Sequence, residues 1–103
     1  MERSYKLLPK AKIDLESIFR YISEELLNPE SALNMIKRFE LKFNDICSFP
    51  KAYPLIELPR LKHNSLRKSI VDNFLIVYYY DEDSDFVNIV RVIYAKMDYI
   101  KEI

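Results

Sequence analysis

The chain contains no glycine. Phosphate loops, dinucleotide fingerprints and nucleophile elbows all need glycine where backbone meets ligand or turns sharply, so nucleotide-dependent chemistry of the usual kinds is excluded and no cofactor is expected. Cys47 is the only cysteine and His63 the only histidine. An internal disulfide is therefore impossible, and no metal-ligand spacing exists. A lone cysteine near the end of a helical pattern reads as a small buried apolar residue. Net charge is missing too, because sixteen basic residues balance sixteen acidic ones. A protein that grips nucleic acid with its whole surface carries a positive excess, so any such binding here must come from a local patch. Met1 to Tyr5 holds no apolar signal core and no run is long enough to span a bilayer, which predicts a cytoplasmic chain with no membrane contact.

What remains is ample for a core. Half of the 103 residues are hydrophobic and 31 % are charged, as expected of one packed domain spanning 1–103. Tyr5 to Leu8 alternates briefly and stops at Pro9, like an opening strand. From Lys10 the period becomes helical: Ala11, Leu15, Ile18, Phe19 and Ile22 share one side, and Lys12, Asp14, Glu16 and Arg20 take the other. This helix has no evident N-cap and is expected to end between Ser23 and Leu27. The next is better punctuated, with Asn28 to cap, Pro29 for the first helical position and Glu30 for the positive end of the dipole. Ala32, Ile36, Phe39, Phe43 and Ile46 follow at helical steps up to Phe49-Pro50. Two such helices with a short link predict an antiparallel hairpin.

Residues 51–64 have Pro54, Pro59 and no period, and read as an irregular connection. Leu66–Val71, Phe74–Tyr80 and Phe86–Lys96 are rich in β-branched and aromatic residues, with turns at Asp72-Asn73 and Asp81–Asp85. Met97–Ile103 reads as a short tail. The predicted class is α+β: an N-terminal strand, an antiparallel helix hairpin, then a three-strand antiparallel meander with the helices on one sheet face.

Turn lengths then assign the faces. A two-residue turn at Asp72-Asn73 sets Arg67 opposite Tyr78, and a turn centred on Asp83-Ser84 sets Tyr78 opposite Ile89 and Ile76 opposite Arg91. One face is aliphatic, with Leu66, Ile70, Leu75, Val77, Val90 and Val92, and is expected to pack on the helices. The other carries Arg67, Ser69, Phe74, Ile76, Tyr78, Tyr80, Ile89 and Arg91, and is expected to lie open. Arginine forks onto phosphate and aromatic rings stack on bases, so that open face suits a polyanion. Arg60, Lys62, Arg67 and Lys68 form a run without an acid between them, balanced by the acidic turn. Arg60, Lys62, Lys68, Tyr78 and Arg91 are thus candidate target-binding residues. The alternative is a run that only solvates the surface.

Several segments together carry a family resemblance. Ala11-x-x-Asp14-Leu15-x-x-Ile18-x-x-Tyr21-Ile22 resembles the first-helix pattern of the RelE/ParE toxins, and Asn28-Pro29-x-x-Ala32 their inter-helix link. Phe49-Pro50-x-x-Tyr53-Pro54, Leu66-Arg67, the stretch Val71-x-Asn73-Phe74-Leu75-Ile76-Val77-Tyr78 and Val92-Ile93-Tyr94-Ala95-Lys96-Met97-Asp98-Tyr99 are similar to later elements of the same family, in the same order. The resemblance implies the toxin of a type II toxin–antitoxin pair, held in a hetero-oligomer by a cognate antitoxin that wraps helices and sheet. It also implies one of two targets. RelE-like members enter the ribosome and cleave mRNA, using the RNA 2′-hydroxyl as nucleophile and no metal, whereas ParE-like members poison DNA gyrase and are not enzymes.

Metal-free cleavage needs a proton acceptor, a cation for the developing charge and a proton donor. Arg67 and Lys96 are the candidates for charge, Tyr94 and Tyr99 for proton transfer or stacking. The sequence departs from the nuclease pattern at Leu75, where such members commonly have arginine, and at Tyr94, where several have histidine. These departures weigh toward the gyrase branch without closing the other. A catalytically inactive member acting as a protein-binding adaptor is the third reading.

Overall fold

A computed structural model describes residues 4–57, 65–96 and 101. Strand β1 (Ser4–Leu7) leads into helix α1 (Pro9–Arg20), which continues as a π-helical turn over Tyr21–Glu25. Helix α2 (Pro29–Ser48) follows, then β2 (Arg67–Val71), β3 (Phe74–Asp81) and β4 (Phe86–Tyr94). The strands form one sheet in the order β1-β4-β3-β2, with β1 parallel to β4 and the meander antiparallel. Parallel pairing of the first and last strands requires a long crossover, which the helix hairpin supplies.

Local chemistry explains the helix ends. Leu8 offers α1 no side-chain cap, but Pro9 at its first turn has no N–H to leave unsatisfied. The π turn is closed by Leu26 N–H donating to the Tyr21 carbonyl, while the Ser23 hydroxyl donates back to Phe19 O at 2.8 Å. Asn28 caps α2 as expected, accepting from the Ser31 N–H at 3.2 Å.

The sheet faces are reversed relative to the sequence reading. The helices pack on the mixed face, where Ala11, Met35, Phe39, Phe43 and Ile46 meet Ile76, Tyr78, Val87, Ile89 and Val92. The aliphatic face holds a smaller cluster of Leu75, Val77 and Ile93, closed in part by Ile56 from the irregular connection. The described part of that connection is held by the sheet edge: Leu55 bridges Arg67, Ile56 N–H donates to Leu66 O, and Lys68 N–H donates to Pro54 O. The pairing of Arg67 with Tyr78 and of Tyr78 with Ile89 is as expected. Beyond Val77 the register slips, so that Ile76 faces Val92 and not Arg91.

The slip is a bulge at Val90, and it turns the following residues toward α1. Arg91 Nε and Nη2 donate to the two oxygens of Asp14 at 2.8 and 3.0 Å, and the Val92 N–H donates to the same carboxylate at 2.9 Å. Asp14 was expected on the solvent side of α1 and is instead mostly buried. Removing one partner of such a pair leaves a buried charge and an unpaired N–H. We therefore expect Asp14→Ala to lose about 3 kcal/mol in urea denaturation, with much of it recovered in Asp14→Leu/Arg91→Met. Equal losses in single and double variants would show that the contribution is not electrostatic.

Candidate target-binding surface

The predicted site residues do not form one cluster. Tyr78 is 0 % exposed and has no surface to offer a target, because its hydroxyl donates to Pro50 O at 2.7 Å across the sheet–helix layer. Arg67 donates to Tyr53 O at 2.6 Å. Those two bonds tie down the segment after α2, and the Tyr53 ring meets Tyr78 edge-on at 6.2 Å. Arg91 is the partner of Asp14. The mixed face is therefore not an open polyanion surface: each of these polar tips is satisfied internally, while the rings and stems fill the core.

Lys68 lines a groove of about 450 Å³ at the β2 edge with Lys42, Tyr53 and Ile70. Tyr94 is 37 % exposed and lines a different groove of about 480 Å³ with Ser17, Ile18, Tyr21 and Phe74. Lys96 is exposed two residues further on. Arg60, Lys62 and Tyr99 lie outside the described residues, as do His63 and most of the tail.

Register gives the distance between the candidate catalytic groups. Arg67 pairs with Tyr78 on one side of β3, and Tyr94 pairs with Phe74 on the other, four residues along. At strand spacings that is roughly 13 Å along β3 and roughly 10 Å across it. A proton donor and a charge-stabilising cation on one scissile phosphate need to be far closer. Leu75, at the position where the nuclease pattern has arginine, is buried in the second core cluster. Among the described residues no group of three or more His, Cys, Asp or Glu could hold a metal. None of their helices is long and apolar enough to cross a membrane.

The comparisons with known proteins decide the family. A model described as "ParE toxin of type II toxin-antitoxin system, parDE" matches residues 5–99. The chain belongs to the ParE toxin family. Its fold is similar to that of a chain of the chromosomal ParDE toxin–antitoxin system from P. aeruginosa, at TM-score 0.72 and 16 % identity, covering 92 % of this chain and 98 % of that one. It is also similar to one in the RelBE2 toxin–antitoxin complex from Mycobacterium tuberculosis, at TM-score 0.61 and 14 % identity, with coverages of 91 % and 99 %. No curated protein matches the chain.

In this ParE-family toxin the sequence reading missed the end of the helix hairpin. There Tyr21, Leu26, Leu27 and Leu33 are all exposed. A signal was present: from Tyr21 to Ile36 the chain has three acids and no basic residue, around consecutive leucines.

Burial pushes the Tyr78 phenol far above the ordinary tyrosine range, with the nearby Arg67 guanidinium opposing it only in part and Tyr53 adding to it. A pKa raised by folding gives stability that is complete below the unfolded value and declines as pH rises from there toward the folded one. Urea midpoints of the native toxin are thus expected to fall above about pH 10. Tyr78→Phe reduces this dependence to what the Tyr5 phenol, also raised by burial, contributes, and by orphaning Pro50 O it loses about 1–2 kcal/mol near neutral pH. An unchanged alkaline profile in Tyr78→Phe would assign the dependence to another group.

Proposed function

We propose that this ParE-family toxin arrests growth by binding DNA gyrase, and that a cognate antitoxin holds it in check as a hetero-oligomer. The observation that carries the gyrase branch is the dispersal of the nuclease candidates: Arg67 serves the fold, and Tyr94 stands at the diagonal corner of the meander. A poison that acts by binding needs a surface, not a converged acid, base and cation. Lys68, with Arg60 and Lys62, would supply the basic part of that surface, and the antitoxin's segment would cover helices and sheet.

Ribosome-dependent mRNA cleavage is the second reading, favoured by an exposed Tyr94 with Lys96 just beyond it. Tyr99, outside the described residues, is the further candidate of that reading. Inducible expression with and without the neighbouring gene, followed by mapping of mRNA 5′ ends and chromosome breaks, separates the two. Arrest with intact messages and broken DNA is the expected result. New cuts inside translated codons would replace the gyrase reading with the nuclease one, and absence of arrest at soluble levels would leave a binding adaptor.

A further inference from the structure

The end of the helix hairpin combines two features that folding alone does not favour. Leu27 has φ 50°, a left-handed conformation in which a Cβ is disfavoured by about 1–2 kcal/mol. It is also 83 % exposed, with Leu26 beside it at 57 %. A glycine or asparagine there would relieve the backbone and remove apolar surface together. Tyr21 and Leu33 add exposed apolar area from the two flanking helical segments. The π turn ties Leu26 back to the first of these segments, since the Leu26 N–H closes on Tyr21 O. Tyr21 also lines the groove with Phe74 and Tyr94, which leaves the adjacent Leu26 and Leu27 as the exposed apolar pair of the tip itself; adjoining exposed apolar groups mark a contact surface more often than scattered single residues do.

The charges around this end say what it would contact. Glu24, Glu25 and Glu30 are exposed there, and no Lys, Arg or His occurs between Tyr21 and Ile36. Arg20 and Lys37 bound this stretch on either side, and the Asp81–Asp85 turn is a second acidic segment, without leucines. Proteins that handle DNA carry Lys and Arg on their working surface. An apolar tip collared by carboxylates complements such a surface: the acids steer it to the cations, and the leucines anchor in an apolar recess among them. A second copy of this chain is a poor occupant, because it would bring the same acids together.

We infer that the hairpin end, with Leu26 and Leu27 as anchors, is the surface by which this toxin engages the basic, DNA-handling face of its target topoisomerase. The inference rests on the gyrase reading and names the part of the toxin that makes the contact.

The test uses the full chain, purified gyrase and two variants. Leu27→Gly relieves the backbone while deleting the anchor, so its Tm is expected to rise by about 4 °C. Leu26→Lys leaves Leu27 in place, removes the other apolar anchor and sets a cation among Glu24, Glu25 and Glu30. Both are expected to inhibit gyrase supercoiling about tenfold or more weakly than the native toxin. Native-like inhibition by both folded variants overturns the inference. Should the native toxin arrest growth without inhibiting gyrase, the gyrase reading fails, and with it the assignment of the tip to a topoisomerase. The same variants scored for arrest then decide whether the tip meets the actual target: lost arrest keeps it as the contact, undiminished arrest removes it. A native chain that neither inhibits gyrase nor arrests growth overturns both.

Discussion

The carboxylate of Asp14 is where helix, sheet and bulge are joined. It accepts from Nε and Nη2 of the Arg91 guanidinium and from the N–H of Val92, so one side chain fixes the rotation of α1 over β4. Without the bulge at Val90 the β4 register would continue, and Arg91 would sit opposite Ile76 in the middle of the helix-facing core, where Val92 now packs. Without Asp14 the bulge would leave a buried N–H and a buried cation, each unfavourable by several kcal/mol. The pair therefore anchors α1 to β4 beside the bulge, over the face where Ile76, Tyr78 and Ile89 meet the helices.

Once that face is chosen, the aromatic residues organise the layer between helices and sheet. Tyr5 meets Phe43 at 5.0 Å, Phe43 lies near Phe39, Phe39 meets Phe74 at 5.7 Å, and Phe74 meets Tyr94 at 5.7 Å. This succession runs from β1 through α2 to the far end of β4, and so couples the groove at Tyr94 to the centre of the core. The Tyr78 and Arg67 bonds act at the other end of the meander, holding the backbone after α2 against the sheet. The rigid part of the toxin thus consumes the polar groups that looked available in sequence. The hairpin end, which takes part in none of these contacts, keeps its apolar side chains exposed.

That division bears on function. A surface poison can keep its scaffold and its contact residues apart, because binding makes no demand that acid, base and cation share a few ångströms. The dispersed positions of Arg67, Lys68 and Tyr94 suit such a division of labour better than they suit a nuclease centre. Holding Leu27 in a disfavoured conformation is the kind of local conflict that persists where a residue serves something other than folding.

Element order, the Asn28-Pro29 cap, both hairpin turns and most of the register were legible in the sequence, because they depend on local propensity and a fixed two-residue period. The family pattern was legible for the same reason: its motifs are short and lie in the expected order. Which face of the sheet meets the helices was not. Tyr78 and Arg91 looked solvent-facing because their tips are polar, yet a polar tip is compatible with burial whenever a partner lies within reach. Pro50 O lies twenty-eight residues from Tyr78 and Asp14 seventy-seven from Arg91. Nor does any alternation rule announce one extra residue in β4, although that residue decides where Arg91 and Val92 point. The sequence by itself determined the order of elements and the family, since those are properties of neighbours along the chain. The buried face, the satisfied cations and the exposed leucine tip were decided only by tertiary structure, where hydrogen-bond partners distant in sequence set the energy of burying a polar group.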